Sequence, residues 1–465
     1  MIYIDRNTSK PIYEQIYSYF AEEILSGSLS AGTRIPATRK LAEELSIGRN
    51  TVDKAYQQLV AEGYIQPKTG SGFTVNKIPA GVSAEPISQP LQKKTVIQKK
   101  QPLYDFAYGN MDNSIFPHNL WRKCINNALS SMELNNTIKY PERIGESALR
   151  SEIANYLYHS RGVKCEPEQI IITCGQQHSM EIIANMFENT MKKSFAMEDP
   201  GYDGIRAVFL NHKFNMSYIP VENDGISIDY LHQLDADLLY ITPSHQFPTG
   251  AVLSVGKRKE LLNWAEMTDT YIIEDDYDSE LRYYTNPIPS MQSLDKNGRT
   301  IYTGTFSKSL SPSMRLAYII FPKTLLERYY AYYHRYNSQV STLHQLALAE
   351  FMSAGYYERH INRLRTLYKK KQSALLTAIY DVFENNIQVY GEGAGIHLLF
   401  NVKGTLCQEE LIEKAEAENI RLYSSRPLYA VSSRCPNNQL LIGFPTVPEN
   451  SFKQIMMILK KAWEV

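Results

Sequence analysis

Through the front of the chain, apolar positions recur at helical spacing. In "PIYEQIYSYFAEEIL", Ile12, Ile16, Phe20 and Ile24 fall every fourth residue, which predicts one buried helix face, with Pro11 suited to the first turn. "PATRKLAEEL" and "RNTVDKAYQQLVAEG" predict two more helices across a tight "SIG" step, the second burying Val52, Ala55, Tyr56 and Leu59. "YIQPKTGSGFTV" then predicts two short strands about a glycine turn, completing a winged helix. After residue 104 the pattern changes. Short apolar runs, "QIIITC", "ADLLYIT", "TYIIED" and "TIYTGTF", alternate with helix-like segments, as in a mainly parallel sheet covered by helices. About the last hundred residues combine a polar helix around "RLRTLYKKKQSALLTAIYDVF" with strands near "GIHLLFNV" and "QLLIGF", which predicts a smaller α+β lobe.

Between the two patterns lies "PAGVSAEPISQPLQKKTVIQKKQPL", residues 79–103, rich in proline and lysine and without periodicity. It reads as a flexible linker, spanning roughly 25–30 Å as a random coil. The expected organisation is therefore a winged-helix domain over 1–78, the linker, and a large α/β domain over 104–465. A length of 465 residues fits more than one hydrophobic core.

Composition narrows this only a little. The formal net charge is +0, so contact with nucleic acid has to come from a local patch rather than a global field. The cysteines number 5, an odd count without C-x-x-C spacing, so neither a disulfide framework nor a metal site is expected. The amino terminus has no apolar signal core and no run approaches a bilayer span. A soluble, cytoplasmic protein without a membrane partner is the expectation.

The front helices carry a candidate nucleic-acid surface. Arg49, Asn50, Thr51 and Lys54 fall on the leading end and outer side of the second helix of the pair, able to bond phosphates or base edges in a major groove. Arg39 on the preceding helix and Lys68 in the wing are candidate phosphate contacts. The stretch "PIYEQI…GTRIPATRKLAEELSIGRNTVDKAYQQLVAEGYIQPKTGSGFTV" resembles the DNA-binding domain of GntR-type bacterial regulators over residues 9–76. The resemblance implies a double-stranded operator as partner. Asp53 departs from it, standing where related proteins often carry a basic residue, and an anion there would repel phosphate.

In the large domain, "TYIIEDDYDSELRY" is an apolar strand ending in acids, and open α/β sheets bind ligands beyond the carboxyl ends of their strands. Lys308, after "TIYTGTF", falls at the equivalent edge, so Asp275, Tyr277 and Lys308 converge on one crevice. The trio suits pyridoxal 5'-phosphate: the amine for a Schiff base, the carboxylate for the pyridine nitrogen, the phenol for the ring oxygen. Thr305, Ser307 and Arg315, with the amides of Gly175 and Gln176 at a helix start, suit the phosphate. Tyr202 in "EDPGYDGIR" is a candidate ring to stack on the pyridine, and Tyr140 to reach a phosphate across a dimer interface.

Order and spacing over 105–465, "YPERIGESALRSEIANYL", "TCGQQ", "EDPGY", "PTG", "EDDYDSE" and "GTFSKSLSPSMRLAY", resemble fold-type I aminotransferases. Joined to a GntR-type winged helix-turn-helix, the chain resembles the MocR/GabR group of transcriptional regulators. The resemblance implies a pyridoxal-phosphate-dependent homodimer, with Lys308 as the aldimine lysine that senses a small amino compound. It also implies Asp275 as pyridine partner, Tyr277 as ring-oxygen contact, Tyr202 as stacking ring and Arg315 as phosphate ligand.

Two departures from working aminotransferases bear on activity. Phe247 replaces the asparagine that many carry before P-T-G, leaving His245 or Gln246 as substitutes, and "QLLIGF" lacks the usual substrate-carboxylate arginine. Arg426 stands where the group binds its effector, with Arg434 as the alternative. A primary regulatory role with residual transaminase activity is expected. A metabolic aminotransferase with an accessory DNA-binding domain, and a regulator sensing pyridoxal phosphate itself, remain alternatives.

Overall fold

The computed structural model of one chain describes every residue except 1, 7, 69–71, 80–101, 135–139 and 287. The expected linker lies almost wholly outside the described residues, as does the tip of the wing. The chain divides into two compact units, residues 1–99 and 100–465.

In the first unit, helices Ile12–Leu25, Thr38–Glu44 and Arg49–Ala61 pack beside a three-stranded antiparallel sheet. Gly72–Val75 is its central strand, between Arg34–Ile35 and Ile65–Lys68. Ile16, Phe20 and Ile24 are buried, whereas Ile12, at the helix start beside Pro11, is only partly covered. Val52, Ala55, Tyr56 and Leu59 form the opposing face. Tyr56 links the layers, its ring edge-on to Phe20 and Phe73 and its hydroxyl donating to the Pro36 carbonyl at 2.9 Å. Leu59 is fully buried in this small core. Leu59→Ala is expected to cost about 2–5 kcal/mol. Calorimetry should find the first unit's transition displaced to lower temperature and the large unit's unchanged.

The second unit is built on an eight-stranded sheet. Its spatial order is Ile170–Thr173, Ala317–Ile320, Thr300–Thr305, Tyr271–Asp276, Leu238–Ile241, Ser194–Asp199, Asn215–Glu222 and Gly225–Ile226. Ala317–Ile320 and Gly225–Ile226 run antiparallel to their neighbours; the interior pairs are parallel. Successive residues serve opposite layers: Ile272 packs with Leu261 and Trp264, whereas Ile273 packs with Ile183, Phe187 and Phe209. Burial on both faces is why these strands read as apolar runs rather than alternating ones.

The carboxyl-terminal lobe is a four-stranded antiparallel sheet, ordered Ile387–Tyr390, His397–Val402, Gln439–Gly443 and Tyr423–Ser424. The long helix Tyr356–Phe383 and the terminal helix Phe452–Trp463 pack against each other and supply core residues to this lobe. The segment entering the unit joins this lobe first. Tyr104–Asp105 pairs with Ile420–Arg421, and the Phe106 carbonyl accepts from Gly443 N at 2.8 Å. That anchoring delivers Tyr108, Gly109 and Asn110 to the carboxyl edge of the large sheet, where they share a cavity with Tyr240 of the strand Leu238–Ile241, far along the chain.

Candidate functional site

Parallel register brings the two key loops together. Asp275 pairs with Thr303 and Asp276 with Gly304, so Asp275 and Tyr277 leave one strand where Thr305, Ser307 and Lys308 leave the next. Between them opens a cavity of about 430 Å³ whose walls include Asp275, Tyr277, Tyr202 and Lys308. Gln176, Thr305, Ser307 and Arg315 line it as well. The sequence motifs, scattered over more than a hundred residues, thus meet in one place.

Lys308 lies against backbone on one side and an aromatic face on the other. A Cβ at Gly109 would fall 3.0 Å from its Nζ, and the Nζ stands 4.1 Å from the Tyr108 ring centre. Burial lowers its pKa to about 8, partly opposed by the charge of Asp278. An amine in this state is neutral often enough to attack an electrophilic carbon.

Asp275 is 4% exposed. Its Oδ2 accepts the Tyr240 hydroxyl at 2.5 Å, while Oδ1 is buried with no partner among the described residues. Burial raises the pKa to about 7, with Asp276 and Asp278 adding to the rise and Tyr240 and Gln176 opposing it. A buried carboxylate oxygen left open on a cavity wall is a place for a cationic N–H.

The opposite end suits an anion. Arg315 adopts a left-handed backbone (φ 51°), and its guanidinium has no hydrogen-bond or ion-pair partner among the described residues. It lies so close to Gly175 that a Cβ there would come within 2.3 Å of Nη2. Gly175, at φ 114°, precedes the helix Gln176–Phe187, whose first N–H groups have no intrahelical acceptor. Thr305 Oγ1 and Ser307 Oγ are 2.9 Å apart beside them.

Other expected residues are not brought to this cavity. Tyr140 is 81% exposed and absent from the walls. Arg426 is exposed and pairs with Glu409 at 3.2 Å, because its loop turns the side chain outward. The backbone of that loop nonetheless adjoins the site, since the Leu428 carbonyl accepts from Gly201 N at 3.0 Å. Arg434 instead holds the buried Asp199 at 2.8 Å. Gln246 is consumed by buried neighbours, donating to the carbonyl of Pro200 after another strand and to that of Phe247, and accepting from Thr249. His245 is buried behind Tyr277, while Phe247 lines the cavity. Sequence reasoning missed Tyr240 and Tyr108. Tyr240 stood in an apolar strand whose pairing partner, Ile273, is two residues from Asp275, so register held its signal; Tyr108 carried none.

In the first unit, Arg49 and Asn50 are exposed at the start of the helix Arg49–Ala61, with Thr51 half-buried. Arg49 Nε lies 3.3 Å from Asp53, so the acid that departs from the GntR pattern is partly neutralised by its own neighbour. Lys54 Nζ stands 3.7 Å over the Tyr13 ring, Arg39 pairs with Glu43 at 3.3 Å, and Lys68 is exposed at a strand end.

Comparison with known proteins agrees with both halves. Residues 12–75 match the bacterial regulatory proteins of the gntR family and residues 105–432 match aminotransferase class I and II. The uncharacterized HTH-type transcriptional regulator YdeL of Bacillus subtilis is 38% identical, covering 100% of this chain and 99% of its own. The probable rhizopine catabolism regulatory protein MocR of Rhizobium meliloti is 32% identical over 100% of this chain and 96% of its own. The pyridoxine biosynthesis regulator PdxR of Corynebacterium glutamicum is 32% identical over 80% of each. Among solved structures, an archaeal alanine:glyoxylate aminotransferase superposes with a TM-score of 0.71 at 23% identity, covering 79% of this chain and 91% of its own. The chain belongs to the MocR-type transcriptional regulators, in which a gntR-family helix-turn-helix domain is joined to a fold-type I aminotransferase domain.

Proposed function

We propose that this regulator binds pyridoxal 5'-phosphate in the cavity at Lys308 and changes its affinity for an operator when a small amino compound enters the same site. The observation that carries the reading is the buried Asp275 Oδ1, without a partner among the described residues, on a wall shared with Lys308 and with Arg315, likewise unpaired among them. Asp275 would take the pyridine N–H, Tyr277 the ring oxygen, and Tyr202 the ring face. Arg315, Thr305, Ser307 and the helix start at Gly175 and Gln176 would take the phosphate. When bound, the cofactor supplies an aldehyde that condenses reversibly with primary amines and a ring that accepts electron density. This chain's residues orient that group, and Lys308 exchanges a proton near neutral pH.

Two copies are proposed to act together, with Tyr140 reaching the partner's phosphate and Arg426 turning from Glu409 toward an effector carboxylate. Operator contact is assigned to Arg39, Arg49, Asn50, Thr51, Lys54 and Lys68. No helix among the described residues is long and apolar enough to cross a membrane, which is consistent with action on DNA in the cytoplasm.

The test is to titrate amino compounds while recording cofactor absorption and operator affinity together, with both changing over one concentration range. Absorption changes that leave operator affinity fixed for every amine tried would sink the switch. The name of the PdxR relative favours a second reading, in which the cofactor itself is the signal. In that case cofactor-free and loaded protein differ on the operator without any amine.

Two further outcomes follow. Gly175→Ala drives a methyl group into Arg315 and is expected to weaken pyridoxal phosphate at least about tenfold while leaving phosphate-free pyridoxal nearly unchanged, measured by absorption titration. Operator affinity should fall with salt at a log–log slope near −0.9 per neutralised phosphate, and Lys68→Ala should reduce that slope by about 1.

A further inference from the structure

With Phe247 in place of asparagine, the ring oxygen in the proposed reading falls to Tyr277, one of the phenols lining the cavity, so the direction of its hydroxyl proton matters. Its oxygen lies 3.1 Å from His245 Nδ1, and the same Nδ1 lies 2.8 Å from Asp278 Oδ2. The side chains of His245 and Asp278 are each 2% exposed.

A nitrogen lone pair facing a carboxylate oxygen at 2.8 Å is repulsive, so Nδ1 carries the proton and donates it to Asp278. A protonated Nδ1 cannot accept from Tyr277. The tyrosine oxygen therefore receives the longer, second share of that N–H, and its own proton has no acceptor among the described residues except across the cavity it lines. We propose that His245, held by Asp278, is a positioning residue that makes the Tyr277 hydroxyl a donor into the cavity, taking over the donor function that Phe247 cannot supply.

The enclosure of the pair supports this. A Cβ at Gly395 would fall 2.4 Å from His245 Cε1 and 2.7 Å from Asp278 Oδ2, and one at Gly250 would come within 3.3 Å of Nε2. Only bare backbone lets the chain close this tightly over the ring. His245 Nε2 is buried without a partner among the described residues, so the hydrogen bonds that orient the ring are those at Nδ1, of which the one to Asp278 is the shorter. The neighbouring His397 ring, centred 5.5 Å away, is tied to the Pro248 carbonyl instead.

The identity of the receiving oxygen rests on the proposed cofactor reading, and the experiment separates the two. In loaded full-length protein, the pH midpoint of the cofactor's visible band reports proton affinity at the ring oxygen and the attached nitrogen. Tyr277→Phe should raise the midpoint by about one unit, a tenfold change in proton affinity. His245→Phe should raise it similarly, and the double variant no further than Tyr277→Phe alone. His245→Asn, whose amide N–H can stand where Nδ1–H stood, should restore the midpoint, whereas His245→Gln should not. An unmoved midpoint in His245→Phe, or shifts that add in full in the double variant, would overturn the assignment. Wild-type protein that never develops a cofactor band overturns the cofactor reading, and the assignment with it.

Discussion

Lys308→Ala is expected to abolish borohydride-fixed attachment of pyridoxal phosphate and to weaken its binding at least about 100-fold, with the amine response at the operator lost as well. An ordinary lysine, with a pKa near 10.4, is neutral in only about one molecule per thousand at pH 7.5. With its pKa lowered to about 8 by burial, Lys308 is neutral in roughly a quarter. Attachment should therefore quicken as pH rises toward 8 and level off above it, which stopped-flow absorbance can follow. Lys308→Arg, keeping the charge but permanently protonated, should fail in the same way. Label that persists in Lys308→Ala, or maps to another peptide of the wild type, would refute the assignment.

Asp275→Asn is expected to move stability and ligand affinity in opposite directions. In the cofactor-free protein the carboxyl is raised from 3.8 to about 7, mainly by burial. The folded state thus holds this proton more tightly than the unfolded chain, so ionising Asp275 costs stability increasingly as pH rises from about 4 through 7. Asparagine removes the charge. The variant without cofactor should melt higher than wild type at pH 8, by at least ~2 °C, with the gap closing toward pH 4. It should also bind pyridoxal phosphate about 10–100-fold more weakly, since a hydrogen bond to a charged group is worth roughly 1.5–3 kcal/mol. Melting curves against pH and absorption titrations measure the two. Unchanged cofactor affinity would remove Asp275 from the pyridine position. Both outcomes together would mark Asp275 as a carboxylate held at some cost to the empty protein for the sake of a ligand.

Much of this site is legible in the amino-acid sequence because strands and their carboxyl ends are local signals. "TYIIEDDYD" and "TIYTGTFSK" each announce a buried strand followed by polar chemistry, and the rule that ligands gather at that edge joins them. The fourfold spacing of the first helix and the buried face of Arg49–Ala61 are equally direct. Arg426 is different. Its motif position points at the effector, but a side chain with several rotatable bonds goes where local charge takes it, here to Glu409. His245 and Gln246 stand side by side in the chain, yet the turn before Pro248 sends one to Asp278 and the other to the Pro200 carbonyl.

The order of elements, the two-unit division and the residue types at the sheet edge follow from the chain alone, since each depends on periodicity or on neighbours a few positions away. Which oxygen of Asp275 stays open among the described residues, that Tyr277 and Asp278 meet at one nitrogen of His245, and that Tyr108 and Tyr240 share their cavity came only with the fold. Those facts arise from contacts across many tens of residues, where strand register and close backbone packing, rather than local pattern, fix what each polar atom meets.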